Sequence, residues 1–205
     1  MLYKYLIASM AMLVCMVFYY HYQNKETRIG GQISVAKTFW LGFASFNYFV
    51  FPVLLFYQIE NKFISNILLV IIALFYLRFL VQGFLMFVTK NWIPFYGIMH
   101  NKISMVAILI SIVYMLFNQN SISEIGIIFM ASFLILLFLV LLTDTVYAIR
   151  FQKIVGENTQ GNQAIWFAGN TEVFKKINRL TIRNNWIFSF LNICVVFMMW
   201  WYDKF

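Results

Sequence analysis

Arg78 is the residue whose type and position most demand a chemical explanation. It stands inside a run of about 26 almost wholly apolar residues, Phe63 to Val88, long enough to cross a membrane at roughly 1.5 Å per residue. A charge inside such a run is costly and invites a functional reading. Asp144, embedded toward the end of another apolar run, is its expected partner, because a hydrogen-bonded Arg–carboxylate pair is the geometry that makes burial tolerable. Gln82 lies one helical turn beyond Arg78 on the same face, and Tyr147 lies three residues beyond Asp144. If the long span is centred in the bilayer, Arg78 sits roughly 10 Å below the cytoplasmic boundary. The competing expectation ends that span near Gln82 and leaves Arg78 among the headgroups.

The remaining inventory for catalysis is thin. His21 and His100 are the two histidines, and with Asp144 they form the one set of metal-ligand candidates. No HExxH, GxSxG or phosphate-loop motif occurs, so an enzyme ranks third among the readings and no cofactor is expected. Haem or di-iron chemistry would need histidines within the apolar runs. Cys15 and Cys194 both fall inside apolar runs, where a thiol packs like a small apolar group, and no metal-type Cys spacing exists.

A different kind of chemistry is written into TEVFKKINRLTIRNN. Val173, Ile177 and Leu180 recur at helical spacing on one face, while Lys175, Lys176, Arg179 and Arg183 take the other. Glu172 near the start and the cations toward the end suit the helix dipole. The expectation is an amphipathic helix over 171–183, lying flat on the anionic leaflet or docking on a partner protein. Trp166, with Phe167 beside it, would anchor the preceding loop. The WIPFYG segment at 92–97 reads as an interfacial aromatic turn.

The elements that must position these groups follow from composition. Sixty-three per cent of residues are apolar and 11% charged, against roughly a quarter charged in soluble domains. The chain is therefore expected to be one membrane domain, 1–205, all-α and polytopic, with spans near 3–20, 38–57, 63–88, 103–117, 125–147 and 186–202. The first run lacks a small-x-small cleavage pattern and reads as a retained span. Pro52 should kink the second, with Asn47 and Ser45 placed to satisfy freed backbone groups. The fourth is the shortest, about 22 Å over 103–117, and a re-entrant hairpin is its alternative.

Charge placement decides for six spans. That arrangement gathers Lys25, Arg28, Lys37, Lys90, Lys102, Arg150, Lys153, Lys175, Lys176, Arg179 and Arg183 on one side and leaves Lys4, Lys62 and Lys204 on the other. Positive residues mark the cytoplasm, so the segment 149–185 is expected there and both termini outside. The net charge of +8 points to anionic lipid rather than nucleic acid. The location expected is a bacterial inner membrane or its organellar counterpart. Large aromatics and few polar residues in the spans favour a non-catalytic subunit that scaffolds a membrane complex. A small oligomeric channel, transporter or lipid-handling protein is the alternative, supported by Arg78, Gln82, Asn47 and Pro52. Partners expected are membrane lipids, other membrane subunits or further copies of the chain.

Overall fold

The computed structural model describes residues 11, 15, 39–40, 42–44, 46–58, 62–89, 94–117, 124–155, 172–202 and 204. Every element among them is helical: a π-helical turn at Phe46–Val50, then α1 (Phe51–Gln58), α2 (Lys62–Phe87), α3 (Pro94–Phe117), α4 (Glu124–Val155) and α5 (Glu172–Tyr202). Four of these helices, α2 to α5, are long and apolar enough to cross a membrane. The first expected span falls almost wholly outside the described residues.

The bundle is built on α4, which packs along α3 on one side and α5 on the other. Ring contacts fix the directions. Phe129 stacks on Tyr202 at 4.1 Å, while Tyr147 meets Thr181 at the other end of the same two helices, so α4 and α5 run antiparallel. Phe63 stacks on Tyr114, and Arg78 meets Asn101, which makes α2 and α3 antiparallel too. The core between them is fully buried Leu68, Ile71 and Phe75 from α2, Ile108 and Met115 from α3, Phe133, Leu134 and Leu141 from α4, and Phe188 from α5. Lipid tails are as apolar as these side chains, so the core holds the bundle by close packing rather than by escape from water. Polar links between helices therefore carry more of the specificity. Hydroxyls that stay local close on their own helix: Thr145 donates to the Leu141 carbonyl at 2.7 Å and Ser111 to that of Ala107 at 2.8 Å.

Three boundaries differ from the sequence expectation. First, α3 begins at Pro94 and runs 24 residues, so it is neither a hairpin nor a fifteen-residue span. Proline at a first helical position loses no hydrogen bond and is preset for helix, which turns the expected WIPFYG turn into a helix start. Second, α4 continues past the apolar run to Val155. Its buried face simply goes on, through Tyr147 and Phe151. Third, the amphipathic segment does not form a separate helix. It is the first part of α5, one 31-residue helix with the last span. No Gly or Pro interrupts residues 172–202, and the face expected on lipid is already occupied, since buried Ile177 packs against Tyr147 and Phe151 of α4 with Leu180 beside it.

The kink expected at Pro52 takes the form of the π-helical turn. Proline lacks an N–H and its ring collides with the carbonyl four residues back, that of Tyr48. Widening the turn at Phe46–Val50 moves that carbonyl aside. Asn47 Nδ2 donates to the Phe43 carbonyl at 2.8 Å. Ser45 is outside the described residues.

Candidate functional site

Arg78 and Asp144 lie on different helices and meet at 2.9 Å, guanidinium Nη2 to carboxylate Oδ2. Both are buried, 9% and 2% exposed. A third residue closes the site. Asn101 of α3 accepts from Arg78 Nη1 through its Oδ1 and donates from Nδ2 to the same Asp144 oxygen at 3.0 Å. The three side chains form a closed triangle of hydrogen bonds, each from a different helix, and the asparagine amide is oriented by both charges. Such a fully connected polar network is the form in which burying a charge pair is least costly.

The surroundings complete it. The guanidinium carbon lies 4.8 Å from the centroid of the Tyr48 ring, a cation–π arrangement contributed by the π-helical turn. Beneath it, Gly97 lies one turn before Asn101 on α3. A Cβ there would stand 3.2 Å from Gln82 Nε2 and 3.7 Å from Arg78 Nη2, so glycine lets α2 and α3 close on the pair. One turn along α4 from Asp144, the Tyr147 and Thr181 hydroxyls are 3.0 Å apart, Thr181 donates to the Ile177 carbonyl at 2.8 Å, and Trp40 stacks on the Tyr147 ring at 5.2 Å.

The position of the site along the bundle follows from register. Asp144 is twenty residues beyond Glu124, about 30 Å of helix, which is the thickness of the hydrocarbon. Lys102 follows Asn101 on α3 and is exposed; Arg183, also exposed, stands opposite Asp144 because Thr181 is already paired with Tyr147. The triangle lies within the candidate spans, near the end of the bundle that carries exposed Lys102 and Arg183.

The other sequence candidates are distributed as follows. His100 is half-buried on α3 beside Asn101, while His21 and Trp166 lie outside the described residues. Among the described residues, no three His, Cys, Asp or Glu side chains gather as metal ligands. Lys175, Lys176, Arg179 and Arg183 are all exposed on the first part of α5. Asn101, Gly97 and Tyr48 are the site residues that sequence reasoning missed. The first two fell between the expected third and fourth spans, in and just after the segment read as a turn. A helical reading from Pro94 would have lined up Gly97, Asn101 and Ser104 on one face of small and polar side chains, the pattern of close helix contact. Chemically, the triangle holds a neutralised charge pair rigidly and ties three helices together. No family model, curated protein or solved structure matches the chain.

Proposed function

We propose that this chain is a non-catalytic integral membrane subunit that scaffolds a larger membrane complex. In this reading it crosses six times, with the basic end in the cytoplasm and both termini outside, in a bacterial inner membrane or its organellar counterpart. The observation that carries it is how the polar and aromatic residues are divided. The charges within the bundle are closed on each other in the Arg78–Asn101–Asp144 triangle, while the outward faces carry large apolar side chains in continuous lines. On α5, Trp186, Phe190, Ile193 and Phe197 recur at helical spacing and are 74%, 65%, 65% and 62% exposed. Aliphatic residues suffice against lipid; rigid aromatics are what protein interfaces favour. Purification in mild detergent followed by mass measurement tests the reading. A stable assembly containing other proteins is the expected result, and a protein that runs only as a monomer would count against it.

A second reading, an oligomeric channel, transporter or lipid-handling protein, is favoured by one observation. Asn184 and Asn192 are buried on the inner face of α5, and Asn184 Nδ2 and Asn192 Oδ1 have no hydrogen-bond partner. Polar atoms left so inside a bundle suit a site that takes up a polar solute. A closed homo-oligomer in the same mass measurement would shift the balance to it.

A further inference from the structure

Away from the charge triangle, Asn47 and Asn192 share one arrangement. Asn47 Nδ2 donates to the Phe43 carbonyl at 2.8 Å, and Asn192 Nδ2 donates to the Phe188 carbonyl at 2.7 Å. Each amide nitrogen is thus held by the turn before it, and the amide oxygen is the atom left to meet a neighbour. Asn47 is 2% exposed and Asn192 0%. Asn192 Oδ1 has no hydrogen-bond partner.

Ring contacts put the two residues at one level of the bundle. Trp40 stacks on Tyr147, and Phe51 meets Phe133 edge-on at 5.0 Å, so the chain from Trp40 to Phe51 runs antiparallel to α4. It therefore runs parallel to α5, where Phe43 meets Phe188 at 6.4 Å. One turn further along each stand Asn47 and Asn192. The spacing of Phe43, Asn47 and Phe51 keeps Asn47 on the face that meets α4 and α5, whereas Tyr48 turns to α2 and Phe75 at 5.0 Å. Pro52 adds to the acceptors here. It has no N–H to give to the turn before it, so a main-chain carbonyl of the Phe46–Val50 turn lacks that donor.

Acceptors do not bond one another. A small species with two donors and no net charge is what joins them. The buried charges among the described residues, Arg78 and Asp144, already neutralise each other, and a bare cation at the asparagines would stand unpaired in an otherwise apolar core. We infer that Asn47 and Asn192 hold a buried water molecule between them, which joins the Pro52 segment to α5. Water gives one O–H to each amide oxygen and keeps its lone pairs for a remaining amide N–H. The inference goes beyond both readings of function, since neither scaffolding nor transport is needed for it.

Solid-state NMR of the full chain in lipid vesicles, with magnetisation started on water, is the test. In the wild type, signal should reach the side-chain carbonyls of Asn47 and Asn192 at short mixing times, while Ile108, equally buried but apolar, stays dark. N47L should extinguish transfer to Asn192, and N192L transfer to Asn47, since each removes half of the shared site. An Asn192 signal as dark as that of Ile108 in the wild type would overturn the proposal, because no water is then held there. Transfer to Asn192 that persists in N47L would overturn it too, because water would then reach that residue without Asn47. The wild-type comparison decides even where a variant fails to fold.

Discussion

At Arg78 a single side chain meets all the demands that burial makes on a cation. Its charge is met by Asp144, a second donor by Asn101, and its face by the Tyr48 ring. Truncating one partner leaves the other charged and buried, which is where the large energies lie. Arg78→Ala or Asp144→Ala should destabilise the bundle by about 3–5 kcal/mol, whereas the double change to Met and Leu should recover most of that loss. Thermal unfolding in detergent, followed by retention of the monodisperse peak, measures the difference; additive losses in the double variant would mean the two charges act independently. Asn101→Leu removes the hydrogen bonds that tie α3 to α2 and α4 without removing either charge. It should cost about 1–3 kcal/mol, the range for leaving buried partners unsatisfied. The Arg–Asp pairing was readable in the sequence because each charge stood alone inside an apolar run. Asn101 was not, since an asparagine is conspicuous only once its helix is known.

Among elements, helices α2 and α4 were legible because long apolar runs leave little other choice than a membrane span. Their ends were less so. A hydropathy reading stops where apolarity stops, but α4 continues to Val155 because one face stays apolar and finds α5. The same contact converts the expected flat amphipathic helix into the first turns of α5. The prediction at this scale concerns that contact. Ile177→Ala removes the buried side chain that α5 places against Tyr147 and Phe151, and should cost about 2–4 kcal/mol, felt first at that end of the two helices. Limited proteolysis should then cut within 145–155 or 172–183 well before the spans. Protection equal to wild type would show that this end is held by something other than this contact. The π-helical turn was half legible. Pro52 announced a distortion, but not whether the chain would bend or widen.

In the whole molecule, these parts share one polarity. The charge triangle, the exposed Lys102 and Arg183 and the other exposed cations of α4 and α5 all gather at one end of the bundle, while Phe129 stacks on Tyr202 and Lys204 lies over Trp200 at 4.1 Å toward the other. A chain so polarised has one orientation in which its cations need not cross. In the orientation proposed above, that basic end of the bundle faces the cytoplasm. Single cysteines at Lys153 and Asn120, placed in a chain whose Cys15 and Cys194 are replaced by Ala, test this most directly. Labelling by a membrane-impermeant maleimide is compared in intact cells and inverted membrane vesicles. The account predicts that position 153 reacts only in the inverted vesicles and position 120 only in intact cells; both positions reacting from the same side would contradict it.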